Sequence, residues 1–515
     1  MKWEFGKWVL LLIAVSLPVL LLANSRWGIG VTHDSIFYLS SARNLVEGNG
    51  LQWSASDGSL HPLTHFPPLY SLAIAFLMIS GIQSAQAATW LAGIFVGLNI
   101  FTTGYLVYRF SRSEIPSIFA ALTLAVATSF INLHLIALSE PLFILLVLGS
   151  FGVLGAYFEK PSIKLLLVAG WLAALSILTR YVGIAVIATG LLTIAVIEKT
   201  SFRTRVKNLS IYLSVSLSLF LLWTARNVVQ FESMTNRALV YHPLEWGNRK
   251  LGFETIAGWF TWTPMAYKTT IAISGLFLFV IFMWWLWLGW KLILSQTVKP
   301  NQVNGFRFVF MLNLFSLIYL AGILFSLTFF DASTRLDGRI LAPVYVAFLC
   351  ALFTMLGSLS VRWQWVGGII SIFIIVVNLP NTFNSLSDYI QNGRGFTGQS
   401  WQTSKAVAFV RAAPLESVIY SNQGMALYFL TNRPVHDVPE KMDVVRDDVR
   451  DDYPAQLKSM VEDLNMPGSF IVWFEGGGLS DSVLQEANVD LQIYRVFPDA
   501  NILASSENVG NGNLP

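Results

Sequence analysis

The sequence predicts a polytopic α-helical membrane protein of about eleven transmembrane helices, followed by a small C-terminal α/β extracytoplasmic domain. Three observations lead there. Of the 515 residues, 54% are hydrophobic and only 12% charged, whereas a soluble domain is charged at roughly 25% of positions, so a soluble enzyme is excluded. The apolar excess is gathered into repeated runs of about 20 residues, the length of helix that crosses a bilayer. The charge is divided as well: residues 1–400 hold 25 Lys/Arg against 14 Asp/Glu, and the rest 8 against 16. A basic, apolar body of net charge +11 therefore precedes an acidic one of −8. The cations are spread over short loops and give no reason to expect nucleic acid.

The apolar runs centre on residues 8–23, 85–108, 115–131, 140–158, 164–178, 181–197, 209–225, 269–290, 308–330, 340–358 and 365–379. With the N-terminus in the cytoplasm, the inner loops carry Lys2, Lys7, Arg109, Arg112, Lys160, Lys164, Lys199, Arg203, Arg205, Lys207, Lys291, Lys299, Arg307 and Arg362, against only Glu4, Glu114, Glu159 and Glu198. The positive-inside rule then orients the bundle, and an odd number of crossings places the chain beyond Leu379 outside. Lys2 and Lys7 before the first run would also suit a signal peptide with a weak cleavage point near Ala23. Removing that run would spoil the charge asymmetry, so an uncleaved anchor is expected.

Residues 67–81 are apolar but short for a crossing, and Pro67-Pro68 opens them, which predicts an interfacial or re-entrant helix. Residues 24–84 thus form a long first outer loop, with a helix over 34–46 closed by Gly48, and residues 226–268 form a second. Residues 1–399 make up the transmembrane domain. From residue 400 the texture changes to short β-branched and aromatic runs at 417–421, 469–474 and 491–497, separated by polar helical stretches, which predicts a small α/β domain. Its acidic run 443–452, with Asp447, Asp448, Asp451 and Asp452, reads as a solvated helical face. Cys350 is the single cysteine, so no intramolecular disulfide staples the outer parts.

Ionisable groups near a membrane face are costly unless paired or used, so the few at the outer ends of the runs are the candidate chemistry. Asp34 lies in the first turn of the loop helix with Tyr38 one turn on, along the same face; helix capping is the plainer role for Asp34. His65 and Tyr70 flank Pro67-Pro68. Glu140 opens the fourth run ahead of Pro141, near His134, and Arg180 falls between the fifth and sixth. Arg335, Asp337 and Arg339 precede the tenth. All six histidines fall on the predicted outer side, none in a His-x-x-x-His or His-Glu-x-x-His spacing, so no metal site is assigned. Two carboxylates and several arginines at one face suit group transfer from a phosphate leaving group: a carboxylate takes the acceptor proton and guanidinium forks hold the phosphate charge. Asp34 and Glu140 are the candidate catalytic pair, and Arg180, Arg339 and Tyr38 the candidate donor-phosphate ligands. His33, His65, Tyr70, His134, Arg335 and Asp337 are the candidate substrate-binding groups.

At these residues the sequence resembles the GT-C membrane glycosyltransferases, in particular the protein O-mannosyltransferase and aminoarabinose-transferase group. The resemblance rests on Asp34-x-x-x-Tyr38, Pro67-Pro68-Leu69-Tyr70, Glu140-Pro141, Arg180 between two runs, and Arg339-Ile340-Leu341-Ala342-Pro343. It covers about the first 380 residues in layout. The sequence departs from the pattern at Ser35, where a second acid often stands, and at Phe66, where a basic residue often precedes the proline pair. The resemblance implies that Asp34 is the general base, that Glu140 assists the site and that Arg180 contacts a lipid phosphate. It implies an enzyme of the bacterial cytoplasmic membrane that moves a sugar from a polyprenyl-phosphate donor to a lipid, glycan or protein acceptor on the outer face, with inversion at the anomeric carbon. No cytoplasmic nucleotide-binding glycine loop is present, which fits a lipid-linked donor. No cofactor is assigned, and use of a divalent cation is left open. The competing expectations are a membrane transporter or lipid flippase, which would place ionisable groups at mid-membrane, and a non-catalytic scaffold presenting its outer domain.

Overall fold

The computed structural model describes residues 5–23, 26–231, 235, 239–261, 266–292, 302–443, 445, 448–474, 481–510 and 514. The apolar runs are all helical. After α1 (Phe5–Ala23), the expected first outer loop carries α2 (His33–Val46), a hairpin of β1 (Gln52–Ser54) and β2 (Leu60–Pro62), and the short α3 (Leu69–Met78). Then follow α4 (Ser84–Ser111), α5 (Glu114–Ala125), α6 (Thr128–His134), α7 (Glu140–Glu159), α8 (Ile163–Thr179), α9 (Ile184–Ile197), α10 (Phe202–Phe231), α11 (Trp246–Gly258), α12 (Tyr267–Trp290), α13 (Val303–Phe329), α14 (Gly338–Ser358) and α15 (Val361–Asn392). Among the described residues seven helices are long and apolar enough to cross a membrane, or eight with α5 and α6 taken as one broken span; α1, α8 and α9 are apolar but shorter. The chain is a multi-pass membrane protein.

The expected straight run 115–131 is instead two helices meeting at 61°. A break inside a bundle frees backbone groups that only neighbouring side chains can satisfy. Here α15 supplies them: Thr382 Oγ1 donates to the Val126 carbonyl at 2.7 Å, and Thr128 N donates to Asn378 Oδ1 at 3.4 Å. The bend redirects the chain through α6, and the segment after it delivers Glu140 to the start of α7.

Burial grades across the bundle. The apolar stretch of α14 is 89% buried, whereas those of α10 and α12 are only 22% buried and present Leu, Val, Phe and Trp outward, as expected of lipid-facing helices. Small residues set the closest approaches: at Gly97 of α4 a β-carbon would stand 2.6 Å from the Ala14 carbonyl oxygen of α1. On the expected inner side, Arg109 pairs with Glu159, and Glu198 accepts from Tyr157 and Asn208.

The C-terminal region begins with α16 (Gln399–Gln402) and α17 (Lys405–Ala412), then β3 (Ile419–Ser421), α18 (Gly424–Thr431), β4 (His436–Asp437), the small pair β5 (Met442–Asp443) and β6 (Asp448–Val449), α19 (Tyr453–Leu464), β7 (Phe470–Phe474), α20 (Ser482–Ala487), β8 (Leu491–Val496), β9 (Ala500–Ser505) and α21 (Ser506–Gly510). The main sheet runs β4-β3-β7-β9-β8, with β3 parallel to β4 and β7, and β9 antiparallel to β7 and β8. The three expected strands are present. β9 was not anticipated, because it follows β8 after a three-residue turn and reads as a continuation of it. The acidic run is not helical where described: it forms the antiparallel pair β5–β6, and Arg446 and Asp447 lie outside the described residues.

The two regions are sewn together at the first outer loop. Val31 lies between two parallel partners in the chain: Gly30 bridges to Ile136 and Val31 to Gly395. Gly395 has φ +56°, and a β-carbon on it would fall 2.1 Å from the Val31 carbonyl oxygen. Higher up, Ser56 Oγ donates to Asp437 Oδ2 at 2.5 Å and Val435 N donates to the Ser56 carbonyl at 2.8 Å. Burial raises the Asp437 carboxyl above its ordinary range, although the Ser56 and Gly424 donors oppose this.

Gly395→Ala should lower the thermal midpoint of the detergent-solubilised protein by an amount equivalent to about 2 kcal/mol or more, from left-handed strain and collision combined. Gly81→Ala, also at positive φ but in open space, should cost about 1 kcal/mol. Equal losses would show that the Gly395 contact is not constraining.

Candidate active site

Four helix ends meet at one level. α2 starts with a reciprocal cap in which the Thr32 N–H donates to Ser35 Oγ at 3.0 Å. Ser35, where the resembling family often has an acid, closes the helix start and leaves the Asp34 carboxylate for other partners. α7 begins at Glu140 with Pro141 in its first turn, where a missing N–H costs nothing. α8 ends at Arg180, whose extended backbone breaks the helix before a short 3-10 turn at 181–183. α14 starts behind Asp337, whose Oδ1 accepts from the N–H groups of Arg339 and Ile340 at 3.0 and 3.2 Å.

These ends bring together an alternating chain of charge. Arg339 reaches Asp34 Oδ2 through Nη1 at 2.6 Å and Glu140 Oε1 through Nε at 2.8 Å, and Arg180 Nη1 reaches the same Glu140 oxygen at 2.5 Å. Glu140 is 1% exposed, and a carboxylate so buried is tolerable only because two guanidinium groups face it. Both contacts to Oε1 are short but off the hydrogen-bond axis, and Arg180 Nε has no hydrogen-bond partner among the described residues. Donor capacity is therefore left over for a further anion. Ser139 ties the cluster to α2: its Oγ lies 3.0 Å from the Tyr38 hydroxyl, accepts from Arg180 Nη1 at 3.4 Å and donates to Glu140 Oε2 at 3.5 Å. Burial and the Glu140 charge push the Tyr38 phenol well above its ordinary range, so it is a neutral hydrogen-bonding group at any working pH.

A cavity of about 280 Å³ opens onto this chain, lined by Asp34, His65, Phe66, Arg180, Arg335, Asp337 and Arg339 together with the loop residues Asp331, Ser333 and Thr334. Glu140 lies behind its wall rather than on it, and acts on the site only by holding the two arginines. Tyr70 is buried behind Tyr38, ring to ring at 5.1 Å. Three expected substrate groups, Tyr70 and two histidines, do not reach the cavity. His134 is a core residue: it is 2% exposed, and its Nδ1 lies 2.8 Å from the Phe130 carbonyl, one helical turn back. His33 is turned the other way, edge-on to Phe396 at 5.0 Å on the side of the C-terminal domain, because adjacent positions of a helix start point in different directions. Among the described residues no cluster of three or more His, Cys, Asp or Glu side chains is placed to hold a metal ion.

Sequence reasoning missed Ser139 and the 331–334 loop. The adjacency of Ser139 to Glu140 was the only signal for the first. The second is shaped by Asp331, whose Oδ1 accepts from the N–H and Oγ of Ser333 at 3.1 and 2.6 Å, a local turn invisible to hydropathy.

No known family model matches the chain, and no curated protein matches it in sequence. Solved structures do. ArnT from Cupriavidus metallidurans bound to undecaprenyl phosphate aligns with a TM-score of 0.61 over 98% of both chains at 12% identity. The fold is the GT-C fold. The archaeal oligosaccharyltransferase AglB from Archaeoglobus fulgidus, in complex with an inhibitory peptide and a dolichol-phosphate, aligns with a TM-score of 0.55 over 92% of this chain and 70% of its own, at 13% identity. At such identities the likeness to these GT-C glycosyltransferases lies in the fold.

Removing Glu140 should cost more stability than removing Asp34, although only Asp34 lines the cavity. Glu140→Gln leaves two largely buried arginines facing a neutral amide, a loss of about 3 kcal/mol or more. Asp34→Asn, at the cavity wall, should cost under about 1 kcal/mol. Thermal unfolding of the two variants in the same detergent checks the order.

Proposed function

We propose that this protein is an integral-membrane glycosyltransferase that moves a sugar from a polyprenyl-phosphate donor to an acceptor on the outer face of the membrane. The observation that carries the proposal is the Asp34–Arg339–Glu140–Arg180 chain at the wall of a cavity. It pairs one accessible carboxylate with two arginines held in place from behind. In this reading Arg180 and Arg339 hold the donor phosphate and Asp34 is the general base. An acceptor hydroxyl or amine gives its proton to Asp34 while its lone pair attacks the anomeric carbon from the face opposite the phosphate. The carbon–oxygen bond to phosphate breaks, and the polyprenyl phosphate leaves with the electron pair, its charge met by the guanidinium forks. Binding of the phosphate to Arg339 competes with the Arg339–Asp34 contact, so arrival of the donor frees the base.

The fold agrees with this chemistry: a GT-C neighbour of similar length was solved with undecaprenyl phosphate, and another with dolichol-phosphate and a peptide. The setting proposed is a bacterial cytoplasmic membrane, with the N-terminus inside and residues 400–515 as a domain outside. That domain touches the cavity loop, where Ala332 N donates to the Val445 carbonyl at 3.2 Å, and its proposed role is to shape access of the acceptor. Lipid, glycan and protein acceptors all supply the required nucleophile.

Asp34→Asn should lower transfer by about 10²–10⁴-fold, read as sugar-modified product by mass spectrometry, while binding of undecaprenyl phosphate is retained. Undiminished transfer would remove Asp34 as base. Arg180→Lys keeps the charge but loses the fork, and should weaken binding of that lipid about tenfold; unchanged affinity would remove Arg180 as a phosphate ligand.

A further inference from the structure

A second and larger cavity of about 660 Å³ adjoins the first, and Ser333 and Arg335 line both. Its walls come from the segment before α11, from α11 itself and from the outer end of α13. They are joined as one piece. Val240 N donates to the Phe329 carbonyl at 3.0 Å, and His242 N donates to that of Thr328 at 2.8 Å. Asn248 then clamps the loop that carries Arg335, donating from Nδ2 to the Thr334 carbonyl at 2.7 Å and accepting at Oδ1 from Leu336 N at 2.7 Å.

His242 lines this cavity and is only 3% exposed. Its Nδ1 lies 3.3 Å from the Leu327 carbonyl. A carbonyl can only accept, so Nδ1 carries the hydrogen and Nε2 is left with a lone pair. Among the described residues that Nε2 has no hydrogen-bond partner. A buried acceptor without a donor is a standing cost that a ligand can relieve. The cavity also carries the carboxylates of Glu245 and Glu254 and the cations Lys250 and Arg335, with Lys250 Nζ 3.7 Å from Glu254 Oε1, a mixed polar lining that a hydrocarbon chain could not satisfy and that hydroxyl groups, which donate as well as accept, could. The complementary ligand is one rich in O–H donors.

We infer that this cavity is a carbohydrate subsite in which His242 Nε2 accepts a hydrogen bond from a sugar hydroxyl, next to the phosphate site and reached past Ser333 and Arg335. The inference rests on the glycosyltransferase reading. The same chemistry fits the sugar of the donor or a sugar of the acceptor, and the experiment separates them.

The full-length protein in lipid nanodiscs is compared as wild type, His242→Phe and His242→Gln. The probes are undecaprenyl phosphate, the same lipid carrying a pentose or a hexose, and a lipid and glycan extract of the cell envelope as the acceptor mixture. In His242→Phe, binding of the sugar-free lipid should stay within twofold of wild type. A loss of about five- to tenfold in binding of the sugar-bearing lipid assigns the donor's sugar. The same rise confined to the amount of extract giving half-maximal transfer assigns the acceptor. His242→Gln, whose side-chain carbonyl can still accept, should recover part of either loss, which a merely space-filling role would not predict. If His242→Phe does not fold, Glu254→Gln on the exposed face of α11 should weaken the same sugar-dependent step by more than twofold. The subsite is overturned if the sugar-free and sugar-bearing lipids bind the variants alike and the half-saturating extract moves less than twofold. If the wild type itself neither binds the lipids nor transfers sugar, the glycosyltransferase reading fails, and the subsite with it.

Discussion

A carboxylate buried at the edge of a membrane bundle demands cations, and Glu140 takes them from two places far apart in the chain. Arg180 comes from the junction of α8 and α9, Arg339 from the first turn of α14, and Arg339 then extends to Asp34 on α2. In the low-polarity surroundings of the bundle each of these charges is tolerable only beside the next. Four helix ends are thereby held at one depth by one side chain that does not itself line the cavity. The 61° break between α5 and α6 belongs to the same arrangement, because a straight helix would carry the chain past the level at which Glu140 must begin α7.

The division of labour follows from burial. Glu140, enclosed, fixes where the guanidinium groups stand. Asp34, at the cavity wall, is the group a nucleophile can reach. Ser139 and the neutral Tyr38 hydroxyl fill the remaining polar positions, so that α2 cannot roll and carry Asp34 away without breaking hydrogen bonds that have no water to replace them. Charged groups on helix starts, stiffened by a second set of contacts, suit positioning and charge stabilisation, as the proposed reaction requires.

The sequence made the bundle legible because hydropathy acts over twenty residues at a time, and every expected run is helical except for the break between α5 and α6 inside 115–131. It made Asp34, Glu140, Arg180 and Arg339 legible because a charge at the end of an apolar run stands out against its surroundings. His134 and His33 stood out for the same reason and went elsewhere, since hydropathy does not say which way a ring turns around a helix. The cavity loop 331–334 and His242 were overlooked because their roles come from local turns and from a pairing across some 85 residues, neither of which leaves a period in the sequence. In the C-terminal domain the acidic stretch read as a helix forms a β pair, where charge pattern alone does not separate a solvated helix from a solvated hairpin.

The two bridges at Gly30 and Val31 bear on how such a protein could be altered. The residues just before Asp34 are held on one side by the segment leading to Glu140 and on the other by Gly395, at the threshold of the C-terminal domain. The C-terminal region is therefore not an attachment at the end of a flexible tether. A chimera exchanging it for another domain at residue 400 would keep the bridge at Val31, but would lose the Ser56–Asp437 bond and the Ala332–Val445 bond. The cavity would then inherit a loosened loop on its rim. Grafts of another domain would have to carry matched partners for Ser56 and Ala332, so that domain choice and rim geometry are inherited as a unit.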